Sequence, residues 1–188
     1  MRRRALMIVA AATPWPARAT TEDDIAARLA AGGAVMAFRH ALAPGTYDPP
    51  GFRLDDCSTQ RNLNDQGRAQ AQRIGEWFRR RGLVPAAVRS SPWCRCLDTA
   101  RLAFGRADPW AALGSPRAAA DAASDASGDG LRRALVAATA RRGRFEVWVS
   151  HQFVLSALVG GATASGEGLL LDAASDGTPR ILGRLAIE

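Results

Sequence analysis

At 188 residues, with 47% hydrophobic and 23% charged residues, the chain has the make-up of one globular domain large enough to bury a sizeable core. The formal charge of +7 suggests nucleic acid at first sight, but four of the contributing arginines (Arg2, Arg3, Arg4, Arg18) lie in an N-terminal segment that reads as removable. Aromatic residues are few and not interleaved with basic ones, so no nucleic-acid partner is expected.

The chain opens as an export signal. Met1-Arg-Arg-Arg4 is a basic start, Ala5–Ala12 a short apolar run, and Ala17-Arg-Ala19 an A-x-A cleavage site. An eight-residue apolar run falls well short of the about 20 needed to span a bilayer. Residues 1–19 are therefore expected to be a signal peptide and residues 20–188 a single domain, periplasmic or secreted, without a membrane span.

Glu22–Ala31 reads as a short helix ending at Gly32-Gly33, and 34–39 as a strand apolar enough to be buried on both faces. Residues 41–62 form a long loop rich in Gly, Pro and Asp, of a length usually tied to function. Asn64 is the expected cap of a helix over about 65–81, with Ala71, Ile74, Trp77 and Phe78 on one stripe. Arg79-Arg-Arg81 closes that helix, where cations complement its dipole. A strand over 86–89 follows. Ser91-Pro92 reads as a helix start, with serine as cap and proline first, running to about Phe104. Residues 105–130 carry no clear pattern. Leu131–Arg142 reads as a helix, 145–150 as a strand, about 153–160 as a helix, and Leu169–Asp172 with Ile181–Ile187 as a closing antiparallel pair. Strands alternating with helices predict a three-layer α/β/α sandwich around a mostly parallel sheet.

An oxidising compartment allows one disulfide among three cysteines. Two positions apart on a helix, Cys94 and Cys96 cannot share a face, which leaves Cys57 with Cys94 or with Cys96. A zinc site is disfavoured because the C-x-C spacing is wrong for it.

The two histidines of the chain both stand where a predicted strand runs out. His40 follows Arg39 and His151 follows Ser150. A third strand runs into Ser90-Ser-Pro-Trp-Cys-Arg95. In open α/β sheets, ligands bind outside the carboxyl ends of the strands. Two imidazoles and two guanidiniums beside a helix N-terminus make a dianion pocket that suits phosphate, whose oxygens match the planar guanidinium fork.

These residues carry a resemblance. Val35-Met-Ala-Phe-Arg39-His40, Asn62-Leu-Asn-Asp-Gln-Gly67-Arg-Ala-Gln70-Ala71, Ser90-Ser-Pro-Trp-Cys-Arg95-Cys-Leu-Asp-Thr99-Ala100 and Val147-Trp-Val-Ser-His151 come in the order of four motifs of the histidine phosphatase superfamily. The chain thus resembles the phosphoglycerate-mutase-like fold, as an exported bacterial branch-1-type member. The resemblance implies that His40 is a nucleophile forming a phosphohistidine, that Arg39, Arg95 and His151 hold the phosphate, and that no metal or organic cofactor takes part. Neighbouring arginines are expected to keep His40 neutral.

Three departures stand out. Ala41 replaces a glycine after the nucleophile. The loop 42–59 lacks the pattern of the mutases, which disfavours mutase activity. The proton donor is not evident: no glutamate follows Arg95 at the mutase spacing, Gln152 stands where the acid-phosphatase branch carries aspartate, and Asp121 is the nearest candidate by spacing, ahead of Asp108 and Asp125. Arg53 and Arg61 could reach into the site from the long loop, though loop arginines are usually solvated; Ser90 and Thr99 read as local capping and packing, Trp77 and Trp148 as core. The expected activity is hydrolysis of a small phosphate monoester. The alternative, motivated by the missing acid, is a phosphoryl-ligand binding protein on the same fold without turnover.

Overall fold

The computed structural model describes residues 20–115 and 125–187. The expected signal segment 1–19 lies outside them, as does Asp121. In chain order the elements are α1 (Glu22–Ala31), β1 (Ala34–Arg39), a 3-10 turn at Cys57–Thr59, α2 (Asp65–Arg80), β2 (Ala87–Ser90), α3 (Cys94–Phe104), β3 (Asp108–Pro109), a 3-10 turn at Ala111–Leu113, α4 (Asp125–Thr139), β4 (Phe145–Ser150), α5 (Gln152–Val159), β5 (Gly168–Ala173) and β6 (Pro179–Leu185). Among the described residues, no helix is long and apolar enough to cross a membrane.

The strands form one sheet in the order β3-β2-β4-β1-β5-β6. The first four run parallel, and β5 is antiparallel to both β1 and β6. Period-2 alternation splits the core between two faces. Ala34, Met36 and Phe38 of β1, with Phe145, Val147 and Val149 of β4, pack under α1, α2 and α3. Val35 and Ala37, with Trp148, pack under α4 and α5. The result is the expected three-layer sandwich. Trp77 and Trp148 are core, and each indole N–H finds a carboxylate, Glu22 at 2.7 Å and Glu146 at 3.0 Å.

Local chemistry explains the helix starts. Thr21 and Asp24 form a reciprocal capping box on α1, and Asn64 accepts from the Gly67 N–H on α2. The start of α3 differs from expectation. Ser91 is not its cap: the helix begins at Cys94, and Trp93 is the capping residue, with no side-chain capping bond to the helix. The Ser91 hydroxyl is drawn instead to His151, 2.8 Å away. Helix α4 starts before Leu131 and ends at Thr139, short of Arg142.

The disulfide joins Cys57 to Cys94, and Cys96 is free and buried. The pairing ties the 41–62 loop to the first residue of α3.

Candidate active site

Strand register brings the two histidines together. Arg39 pairs with Ser150 across parallel β1 and β4, so the residues that follow, His40 and His151, leave the sheet side by side. The His40 N–H still donates to the Ser150 carbonyl (2.9 Å), and Ser91 N–H donates to Val149 (2.8 Å), which brings the end of β2 to the same edge. The imidazole centroids are 5.5 Å apart. Both side chains are buried, as is Arg95.

The proton positions follow from the partners. His40 Nδ1 lies 2.8 Å from the Ala41 carbonyl, which can only accept. Nδ1 therefore carries the proton, and the neutral ring keeps its lone pair on Nε2. His151 Nε2 faces the Ser91 hydroxyl. That oxygen accepts from Trp93 N–H at 3.3 Å. Its own proton can then go to Nε2, which leaves the His151 proton on Nδ1, free to donate to a ligand.

Burial, not the arginines, is the main cause of the histidines' neutrality. It pushes His40 down to about 3 despite the opposing bond to Ala41, with Arg95, Arg61 and Arg39 adding to the fall. His151 is held well below its ordinary value, again by burial first and then by Arg95. The expectation that arginines do this is corrected in its order of causes: removing water costs the imidazolium more than its neighbours repel it.

Three guanidiniums surround the pair. Arg39 Nη1 donates to Gln152 Oε1 (2.9 Å) and to the Thr163 carbonyl (2.8 Å). Gln152, which cannot supply a proton, thus orients Arg39. Arg95 enters from the first turn of α3. Arg61, one of the two loop arginines able to reach the site, turns inward and donates to the Ala43 carbonyl. Its charge bears on both histidines, and burial with Arg95 beside it lowers its own pKa. Guanidiniums stay cationic at neutral pH even so. Each of the three, Arg39, Arg61 and Arg95, has a buried Nε without a partner. Orphaned buried donors of this kind call for an acceptor, a role that a bound anion would fill.

Among the described residues one carboxylate reaches the cluster, and no motif or spacing marked it in advance: Asp48 sits 2.9 Å from Arg95 Nη1. Among the described residues, three guanidiniums and one carboxylate leave the cluster two positive charges, the charge that a phosphate monoester dianion would balance. Of the other candidates, Arg53 is 65% exposed and pairs with Asp55 and Asp56, as a solvated loop arginine should. Asp108 is exposed on the edge strand β3. Thr99 does more than pack: it accepts from the Ala41 N–H (3.0 Å) and donates to the Arg95 carbonyl (2.6 Å), linking the two sides of the pocket. Cys96 Sγ is 3.5 Å from His151 Nε2, but burial pushes its thiol up to about 12, so it is no nucleophile.

The fold is phosphoglycerate-mutase-like, and its candidate site is a buried histidine pair ringed by guanidiniums. The model of the histidine phosphatase superfamily (branch 1) matches residues 53–113, which hold the Asn62–Ala71 and Ser90–Ala100 motifs. Over these residues the chain is similar to branch 1 of the histidine phosphatase superfamily. Similar solved structures include a proposed phosphohistidine phosphatase, SixA, from Agrobacterium tumefaciens (23% identity, TM-score 0.54, covering 82% of this chain and 97% of that one). A phosphoserine phosphatase of Entamoeba histolytica in complex with phosphoserine is similar at 13% identity and TM-score 0.58, over 80% of this chain and 95% of that one. The phosphoglycerate mutase of Thermus thermophilus is similar at 17% identity and TM-score 0.57, over 82% of this chain and 99% of that one. At these identities the likeness is one of fold. No match is found among curated proteins.

Proposed function

We propose that the chain is an exported phosphomonoesterase that works through a phosphohistidine on His40. The observation that carries this reading is the pair of buried neutral histidines flanked by three guanidinium Nε atoms without partners. In the first step His40 Nε2 attacks phosphorus and the P–O bond to the leaving group breaks. Arg39, Arg61, Arg95 and His151 bind the phosphoryl oxygens and hold the charge as it spreads over them. The leaving oxygen takes a proton, for which Asp121 is the proposed donor. In the second step water attacks phosphorus and gives a proton back to the same donor, the P–N bond breaks, and inorganic phosphate leaves with His40 neutral again. The named activities of similar structures, phosphohistidine and phosphoserine phosphatases among them, support a phosphate monoester or phosphoramidate substrate.

The test is a panel of phosphate esters, run with EDTA, on wild type and His40→Ala. Wild type should turn over at least one ester in EDTA, and the variant should lose roughly 10³-fold or more, the scale on which enzymes fail without their nucleophile. Full activity in the variant would refute the assignment. Phosphate binding without turnover by wild type would instead favour the non-catalytic alternative.

Export is supported by the leader-like N-terminus and by the Cys57–Cys94 disulfide, a bond favoured in oxidising compartments. Expression in a bacterial host should yield a processed chain beginning at Thr20. A chain retained in the cytoplasm with Met1 in place would contradict export.

A further inference from the structure

Asp48 stands on the long loop between β1 and α2, eight residues past His40, with Tyr47 beside it 80% exposed to solvent. Its own side chain turns inward and is 9% exposed. Every contact of its carboxylate lies on the rim of the anion pocket. Oδ1 accepts from Arg95 Nη1 at 2.9 Å and from the Arg61 backbone N–H at 3.0 Å. Oδ2 accepts from Arg95 Nη1 at 3.1 Å and from the Trp93 indole N–H at 3.2 Å. Among the described residues, no other carboxylate pairs with Arg39, Arg61 or Arg95.

The geometry has a direct consequence for Arg95. Asp48 takes one amino corner of the guanidinium, and Nε is left buried and unpartnered. A planar fork anchored at one corner has its remaining donors fixed in direction. Without that anchor, Arg95 would be a buried cation with Arg61 and Arg39 bearing on the same site and no counter-charge.

We infer that Asp48 is a positioning residue: it holds Arg95, and through the Arg61 N–H the end of the loop, in the orientation that receives the phosphoryl group. The inference rests on the proposed phosphate pocket and goes beyond it by assigning a residue that acts through Arg95 rather than on the ligand. It also separates two roles open to a carboxylate here. A plug would occupy the phosphate's place and inhibit. A positioning residue holds one corner of the arginine, leaves its other donors to the ligand, and assists.

A double-mutant cycle on the full chain tests this, with inorganic phosphate and tungstate as calorimetric probes and kcat as a second readout. Asp48→Asn places an amide N–H₂ among donors, so Arg95 loses its anchor. In the wild-type background the substitution should weaken phosphate binding about tenfold and lower kcat by at least as much. In the Arg95→Met background the Asp48 carboxylate has lost its partner and only repels the anion. There Asp48→Asn should strengthen phosphate binding several-fold. This reversal of sign is the signature, because a merely structural role would cost affinity in both backgrounds. Weaker binding in both, no change in the wild-type background, or tighter binding and faster turnover on Asp48→Asn would each overturn the inference. The last result would make Asp48 a plug. A wild type that binds phosphate but hydrolyses nothing would refute the phosphatase reading alone, since the calorimetric cycle would still decide the role of Asp48.

Discussion

His40 shows what a single residue gains from its place in this fold. Its tautomer is set by one backbone carbonyl, and its neutrality chiefly by burial. The same burial has a cost in stability that depends on pH. In the unfolded chain the imidazole titrates near 6.5, while in the folded chain it is held to about 3. Below pH 6.5 the unfolded state takes up a proton that the folded state refuses. Stability is therefore full above that value and is lost as the pH falls toward 3. At pH 5 the loss from His40 is about 2 kcal/mol, and His151 acts in the same direction. Urea unfolding at pH 7 and pH 5 should show a loss about 2 kcal/mol smaller for His40→Asn than for wild type. Equal losses would contradict the cause assigned here. At this scale Arg39, His40, Arg95 and His151 were legible in the sequence because each sits in a local motif at a strand or helix end. Asp48 was not, and Arg61 stood out only as one of two loop arginines able to reach the site. Their roles depend on how a long loop folds back, and no periodicity or spacing encodes that. Asp121 lies outside the described residues and stays a proposal.

Among the elements, α2 and the loop before it are fitted to each other. Gln70 accepts from the Leu42 N–H (3.0 Å) and donates to the Ser165 carbonyl (2.9 Å), fixing the chain just past His40. Gly67 lets the first turn of α2 approach that same stretch. A Cβ there would meet the Leu42 carbonyl oxygen at 1.9 Å, which neither backbone can yield cheaply. Gly67→Ala should therefore cost about 3 kcal/mol, the upper end for overpacking, and lower Tm by roughly 6–12 °C in a domain of this size. A Tm within about 2 °C of wild type, by calorimetry, would show the contact to be soft. The helix starts teach a second lesson. Asn64 was legible as a cap because its acceptor lies three residues from its donor. Ser91 had the same local credentials, yet its hydroxyl went to His151, sixty residues away. Local capping preference lost to a tertiary partner, and α3 started at Cys94 instead. The disulfide was narrowed to two pairings by helical geometry, and only the fold of the loop selected Cys57–Cys94.

For the whole molecule, the decisive event is the insertion of β4 between β1 and β2. The alternation of strands and helices made the sandwich legible, and the apolar runs gave five of the six strands. Strand order was not legible, because it depends on how α2 and α3 share one face while α4 and α5 take the other. The short edge strand β3 was also missed, since two residues carry no period. That order alone sets His40 beside His151 with Arg95 arriving from the next strand, and it turns separate motifs into one pocket. The central claim is that His40 becomes phosphorylated there. It is tested most directly by mixing the protein with a ³²P-labelled substrate from the active panel, quenching in alkali, and mapping the label by mass spectrometry. A His40 nucleophile predicts an acid-labile, alkali-stable phosphoryl group on His40 in wild type and none in His40→Ala. Rapid turnover with no label on His40, or label on another residue, would contradict it.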